Sequence, residues 1–412
     1  MGNTTVAAAR SGPSFGLVLM IGIAIMLNYI DRGAVSIAAP LIKDEMGLTA
    51  TGYGFVVSAF FWTYVPFLLL AGWLSDKWSV HRLMAGGVAV WAASTLLMGF
   101  AGGLVSLVIL RLLMGVGEGV AFPSASKLLA RSPDHKRNSA NVALSAGLAM
   151  GPLVGTLAGG AIMDLWGWRP MFWVFGGVTL LWLIPWARLK GEVDQPAAAD
   201  DEGACPYPQL LRCRQLWAMC IYHFSGTYAL YFIIAWLPLY LVKVRGYDIA
   251  DMALLTALFY GGQTVGAAGS AAAADRLIAR GVESARVRRV VGLVCSSFAV
   301  VGVLAIGQTE TTASLIAWLV PTSLCFGTIT GILFTVGQTL AGPASAGRWV
   351  GVQSAFGNLA GITGPVITGA IVDSVGYGPT FTLTAAIIAF GAVAFAVGVP
   401  KLAPLEWKAR GA

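Results

Sequence analysis

The chain has 412 residues, 57% of them hydrophobic and only 11% charged, with a formal net charge of +7 and a mean hydropathy of +0.77. A water-facing domain carries about a quarter charged residues, so this composition excludes a soluble globule and makes lipid the solvent. The positive balance distributes as membrane topology, which removes nucleic acid as a partner.

A helix needs roughly 20 mostly apolar residues to span hydrocarbon. Twelve such stretches follow in order: 15–38, 52–74, 82–101, 104–128, 139–163, 170–188, 216–241, 250–274, 289–307, 313–340, 348–372 and 380–399. They must be helices, because unpaired backbone groups are too costly in hydrocarbon and the runs are too long and continuously apolar for barrel strands. The first run exceeds a signal-peptide core and has no small-residue cleavage site after it.

The longest polar stretch, 189–215, separates six helices from six. The expected organisation is a cytoplasmic tail (1–14), an amino-terminal six-helix bundle (15–188), a cytoplasmic linker (189–215), a second six-helix bundle (216–400) and a cytoplasmic tail (401–412). Lys and Arg stay on the cytoplasmic side. With the amino terminus inside, twenty of the 26 basic residues fall on cytoplasmic segments, among them Arg10, Arg131, Lys136, Arg137, Lys408 and Arg410. Lys43, Arg169, Lys243 and Arg245 fall outside, and Arg32 and Arg111 lie within helices. Both termini are therefore expected in the cytoplasm. The cysteines, Cys205, Cys213, Cys220, Cys295 and Cys325, form no C-x-x-C pair and suggest neither a zinc site nor a disulfide framework.

The halves echo each other. Gly160-Ala161-Ile162-x-Asp164-x-x-Gly167-Trp168-x-Pro170-x-Phe172 recurs as Gly369-Ala370-Ile371-x-Asp373-x-x-Gly376-Tyr377-x-Pro379-x-Phe381, at a constant offset. A duplicated six-helix unit is the organisation of a transporter that rocks two bundles about a midplane site.

Only four charges lie deep in the predicted spans: Asp31, Arg32, Arg111 and Glu118. Each costs at least ~2.5–3.5 kcal/mol near the bilayer centre, so their retention implies internal partners and a use. At ~1.5 Å rise per residue, Asp31, Arg32 and Arg111 share one level on the outer side of the midplane, and Glu118 lies about 10 Å from Arg111 along one helix face. Gly115, Gly117 and Gly119 permit close approach of a neighbour. An arginine grips a carboxylate bidentately and keeps its charge, which suits substrate binding at Arg32 and Arg111. Asp31 and Glu118 are the candidates to load and release protons. The competing reading is a structural network in which Asp31 neutralises Arg111 and Glu118 neutralises Arg32. Tyr64, Tyr29 and Asn28 stand near these charges. The second half offers no midplane charge, only Tyr228, Tyr231, Gln263, Gln338, Gln353, Ser354 and Asn358.

Gly72-Trp73-Leu74-Ser75-Asp76-Lys77 followed by His81-Arg82 resembles the signature loop of the major facilitator superfamily, departing from it at Ser79 and Val80, with an echo at Asp275-Arg276. More specifically, Asn28-Tyr29-Ile30-Asp31-Arg32, Arg111-x6-Glu118-Gly119, Gly167-Trp168-Arg169-x-x-Phe172 and Gly357-Asn358-x-x-Gly361-x-x-Gly364-Pro365 resemble the anion:cation symporter family. That family includes bacterial carriers of sugar acids, tartrate and aromatic acids, and animal sialic acid and vesicular glutamate carriers. The resemblance implies an all-α integral membrane fold of twelve transmembrane helices in two six-helix bundles. It implies proton-driven uptake, with Asp31 and Glu118 as proton sites, Arg32 and Arg111 meeting the substrate carboxylate, and Tyr64 and Asn358 as further contacts. Gly72, Asp76, Lys77, Arg82 and Asp275 would act in conformational gating. The sugar-acid carriers lead one to expect an amide in the fifth helix; residues 146–155 hold none, which counts against a heavily hydroxylated substrate.

The expectation is a proton-coupled symporter for a small organic anion in a bacterial inner membrane. It would be a monomer whose energy source is the proton gradient, with no cofactor and no metal. An anion exchanger without proton coupling and a non-transporting sensor on a transporter fold are the alternatives. An enzyme is not expected, since His81, His135 and His223 fall at loops or a helix start and pair with no nucleophile.

Overall fold

The computed structural model describes residues 14–129, 134–193, 205–342 and 345–407. Arg10, Arg131, Lys408, Arg410 and linker positions 194–204 lie outside them, as do the side chains of Gly72, Asp76, Lys136 and Arg137. In hydrocarbon every backbone group must be satisfied within its own segment, and the described chain is helical throughout, with no strand among the described residues. The first half comprises α1 (Phe15–Glu45), α2 (Ala50–Lys77), α3 (Val80–Met98), α4 (Leu104–Gly119), α5 (Ala121–Leu129), α6 (Asp134–Trp166), α7 (Trp168–Leu181) and α8 (Leu183–Ala187). Two short helices, α9 (Lys190–Val193) and α10 (Tyr207–Leu211), flank the linker. The second half comprises α11 (Arg214–Lys243), α12 (Ile249–Ala279), α13 (Ser284–Ile306), α14 (Thr312–Ala341), α15 (Ala346–Val375) and α16 (Gly378–Gly398).

Among the described residues eleven stretches are long and apolar enough to cross a membrane, α4–α5 and α7–α8 each counting once. The helix α12 falls outside that set, although its 31 residues match its neighbours in length; it carries Asp251, Asp275 and Arg276. Side-chain caps start many of the helices: Ser14, Thr49, Ser79, Asp248 and Thr311 each accept a hydrogen bond from a first-turn amide, satisfying donors that the helix itself leaves open. Ser79 is one of the two departures from the signature loop, and its hydroxyl caps α3. The fourth predicted span breaks at Val120 and the sixth at Trp182. Gly117 and Gly119 weaken the helix just before the first break.

The internal repeat has a structural counterpart. Gly167 and Gly376 end α6 and α15 with φ of 82° and 83°, a conformation costly for any residue with a Cβ. The packing is repeated as well. In the first half α1 packs on α6 and α7, α2 on α4, and α3 on α4 and α7; in the second, α11 packs on α15 and α16, α12 on α14, and α13 on α14 and α16. Three pairs join the halves: α2 with α15, α6 with α12, and α1 with α11. The first two exchange under the repeat and the third maps onto itself, which is the contact pattern of a two-fold related pair.

Glycines set the closeness of these seams. A Cβ on Gly54 would run into the carbonyl of Pro365, one on Gly369 into the Ala50 carbonyl, one on Gly160 into Ala253, and one on Gly361 into the ring of Phe61. Overpacking of this kind costs typically about 1–3 kcal/mol. Gly54→Ala and Gly369→Ala are therefore expected to lower the melting temperature of the detergent-solubilised protein. Gly177→Ala, where a Cβ meets nothing within 4 Å, leaves it unchanged or slightly raised.

Candidate functional site

Neighbouring residues on a helix point about 100° apart, and this divides the charge pair on α1. Asp31 turns toward α7, where its Oδ2 accepts a hydrogen bond from Thr179 Oγ1 at 2.8 Å. It is fully buried, and its Oδ1 has no partner among the described residues. Arg32 turns toward α2 and α4. Its Nε donates to Glu118 Oε2 at 2.8 Å and its Nη2 lies 2.7 Å from the same oxygen. The Nη2 also donates to Asn28 Oδ1, one helical turn back, at 3.1 Å. Glu118 is 1% exposed, so this ion pair is shielded from water on the carboxylate side.

Aromatic rings enclose the guanidinium. The Cζ of Arg32 sits 4.7 Å from the Tyr29 ring, 4.9 Å from Phe60 and 4.7 Å from Tyr64, and Tyr64 stacks on Phe60 at 5.0 Å. Cation–π contacts of this kind are worth about 2 kcal/mol when desolvated. The Arg32 side chain keeps 14% exposure, and its Nη1 makes no hydrogen bond among the described residues, which leaves that edge of the fork unoccupied beside the rings.

Arg111 also meets Phe60, its Cζ 4.8 Å from that ring. It meets no carboxylate among the described residues. Its Nε donates to the Val56 carbonyl at 3.3 Å, and its Nη1 reaches the Arg32 carbonyl and Met114 Sδ at 3.5 Å each. It is 2% exposed. The Glu118–Arg32 half of the competing structural network is formed, whereas Asp31 and Arg111 are not partners. The four groups do not meet at one point: Arg32 and Glu118 form the centre, Arg111 shares Phe60 with Arg32, and Asp31 faces away.

The second half contributes Tyr231, whose hydroxyl donates to Asn358 Oδ1 at 3.0 Å. Asn358 Nδ2 in turn donates to the Ser354 carbonyl. The Tyr231 ring lies 4.6 Å from Phe61 on α2, a contact between halves beside the Arg32 cage. Gln353 and Tyr228 are placed elsewhere. Gln353 is fully buried, accepting from Trp349 Nε1 at 2.8 Å and donating to the Leu333 carbonyl. Tyr228 is buried against Thr368 at 3.5 Å. Of the expected gating residues, Arg82 and Asp275 are exposed and Lys77 ends α2; the side chains of Gly72 and Asp76 lie outside the described residues. His223 is not at a helix start but inside α11, with its ring on Gly357 and against Phe334.

The most heavily bonded charge between the halves was not singled out in sequence. Asp373, near the end of α15, accepts from the backbone amides of Ala50 and Thr51 at 2.8 Å each and from Thr51 Oγ1 at 2.6 Å. It thereby caps the start of α2 from the opposite bundle, where the helix dipole favours a negative charge. Asp44 pairs with Lys243 between α1 and α11 at the same end. Below them Tyr53 donates to the Ala235 carbonyl at 3.0 Å and Ser58 to the Ile362 carbonyl at 2.6 Å. The repeat contained the available signal, an aspartate shared by both copies; its twin Asp164 is exposed.

This all-helical arrangement of two repeated halves agrees with what comparison with known proteins finds. The Major Facilitator Superfamily model matches residues 21–362. The chain belongs to the major facilitator superfamily. It is a multi-pass membrane transporter, not an enzyme, and its relatives carry organic and sugar-acid anions. A probable sulfoacetate transporter of Cupriavidus necator is 30% identical over 395 residues, covering 89% of this chain and 90% of that one. The hexuronate transporter of Bacillus subtilis is 28% identical, covering 92% and 93%. The D-galactonate transporter of Escherichia coli is 26% identical, covering 95% and 96%. Among solved structures, a bacterial homolog of the human lysosomal transporter Spinster, inward-facing and unoccupied, superposes with a TM-score of 0.80 at 17% identity, over 93% of this chain and 96% of that one.

Removing the Asp373 carboxylate takes the acceptor from three donors at the start of α2, a capping loss worth roughly 0.5–2 kcal/mol. In Asp373→Ala, amide hydrogen exchange at residues 50–52 is expected to accelerate about tenfold. In Asp164→Ala, exchange at the start of α12 stays as in the wild type.

Proposed function

We propose that this transporter is a proton-coupled symporter that imports a small organic anion across a bacterial cytoplasmic membrane. Twelve transmembrane helices, with α12 as the eighth, place both termini in the cytoplasm; the Lys/Arg distribution supports that orientation. The observation that carries the reading is the buried Arg32–Glu118 pair with one open guanidinium edge. While Glu118 is ionised it occupies the donors that a substrate carboxylate would need. A proton on Glu118 releases them, and the anion takes the vacated fork bidentately. Proton and anion therefore enter as partners, each improving the site for the other, as linkage requires. Arg111, which also meets Phe60, adds a second fixed positive charge that favours an anion. Asp31 is the second proton site, reached from the α7 side rather than through the fork.

The cycle alternates access around this pair. The contacts of Asp373, Asp44 and Lys243 lie at the end that the charge distribution places outside, which supports a conformation closed to the outside and open to the cytoplasm. Opening the outer side breaks them. The proton gradient is the energy source and no cofactor takes part. A net charge crossing 100 mV contributes about 2.3 kcal/mol, so more than one proton per monovalent anion makes import electrogenic. The names of the relatives, carriers of sulfoacetate, hexuronate and galactonate, support an organic acid as substrate.

In proteoliposomes an inward proton gradient is expected to drive accumulation. Glu118→Gln, a permanent mimic of the protonated state, should lose gradient-driven accumulation and keep substrate exchange. Normal accumulation by both Glu118→Gln and Asp31→Asn would show that coupling does not run through these carboxylates, and wild-type exchange with no accumulation under a proton gradient would make the protein an exchanger. Arg32→Lys, which lacks the planar fork, should raise KM at least about tenfold, equivalent to 1.4 kcal/mol. Arg111→Lys should weaken uptake less, since that side chain does not face the opening.

A further inference from the structure

We infer, resting on the transport reading above, that the substrate is a compact organic anion carrying few or no hydroxyl groups. A sugar acid brings a hydroxyl on nearly every carbon, and each is both donor and acceptor. When such a group leaves water without a partner, binding weakens on the order of fivefold to a hundredfold per group. A polyol carrier therefore needs a wall of uncommitted amides, hydroxyls or carboxylates facing its substrate.

The residues around Arg32 do not form such a wall. Gln353 is fully buried and spends its oxygen on Trp349 and its amide on the Leu333 carbonyl. Asn358 accepts from Tyr231 and donates to Ser354, so amide and phenol satisfy each other. Tyr228 is buried beside Thr368. The α6 face behind Tyr29 is built of glycines. Gly147 lies on the Gly22 carbonyl, Gly151 on Tyr29 Cβ and Gly155 on Ile30, so close that α6 offers α1 no side chain there.

The open edge of Arg32 is bordered by Tyr29, Phe60 and Tyr64, with the Phe61–Tyr231 contact closing the space between the halves. At the accessible edge the remaining polar capacity is the Arg32 Nη1, the Tyr29 and Tyr64 hydroxyls and one amide hydrogen of Asn358. Asn28 Nδ2 and Glu118 Oε1 also lack partners among the described residues, but both are sealed inside the protein beside the ion pair. The accessible groups suffice for one carboxylate or sulfonate, whose plane the fork fixes. It does not serve four hydroxyls. The rings instead offer apolar contact to a short carbon body, which a hydroxylated chain cannot use without losing its water.

Matched acids test this directly, because each pair differs in hydroxyls alone. Adipate and galactarate share six carbons and two carboxylates; propionate and glycerate share three carbons and one. Wild-type proteoliposomes under an inward proton gradient are assayed with these four, with sulfoacetate and benzoate as further hydroxyl-free acids and galactonate as a further sugar acid. Only uptake above that of protein-free liposomes, which propionic and benzoic acids enter unaided, is counted. At least one hydroxyl-free acid is expected to accumulate, with a kcat/KM about a hundredfold or more above every polyhydroxylated acid. If galactarate, glycerate or galactonate matches or exceeds the best hydroxyl-free acid, the inference is overturned while transport stands. If none of the seven accumulates, the proton-coupled organic-anion reading fails and takes the inference with it.

Discussion

The architecture turns on one interaction, a guanidinium and a carboxylate held together inside the membrane by two hydrogen-bonding contacts to a single oxygen. Buried ion pairs seldom add net stability, because desolvating both partners offsets their attraction. Retaining this one therefore calls for a reason other than folding. In the proposed mechanism that reason is exchange: the carboxylate is sealed while the Arg32 Nη1 is unoccupied, so the pair would give way to a pair with an outside anion. Tyr29, Phe60 and Tyr64 hold the guanidinium plane in place during that exchange, and Phe60 is shared with Arg111.

The surrounding helices act to present this pair at a seam. On the α1–α2 side the halves meet through backbone: Gly54 against Pro365, Gly369 against Ala50, and hydrogen bonds from Tyr53 and Ser58 to carbonyls of the other half. Asp373 and the Asp44–Lys243 pair finish the seam at its rim. Such contacts are short-ranged and water-replaceable, which suits a surface that must separate and reform. The repeat is symmetric in helix packing but not in these polar contacts, since Asp373 is engaged and Asp164 is not.

Much of this was legible in the sequence. The apolar runs gave long helices, because hydrocarbon leaves the backbone no other choice, and the repeat gave the pairing of equivalent helices. The Glu118–Arg32 pair belonged only to the competing structural reading, because depth put Arg32 level with Arg111 and left Glu118 further inward. Asp31 was harder to place. Depth alone put it level with Arg111, but its neighbour Arg32 takes the face toward α4, so Asp31 must turn to α7 and Thr179. Gln353 and Tyr228 had the right chemistry and depth for a substrate wall; their partners Trp349, Leu333 and Thr368, which hold them in the protein, are visible only once the helices are packed. The breaks at Val120 and Trp182 reflect local geometry that apolar runs do not encode. Asp373 stood out as a repeated charge, yet its partner is a helix terminus more than 300 residues away, and backbone amides leave no signature in sequence.

The central claim is that an anion gains Arg32 only as Glu118 gains a proton. Calorimetric titration of the purified protein with a transported acid, at neutral pH in buffers of different ionisation enthalpy, measures the protons taken up on binding. The wild type is expected to take up about one proton per bound anion, and Glu118→Gln to take up fewer while still binding. Binding by the wild type with no proton uptake, or with uptake unchanged in Glu118→Gln, would contradict it.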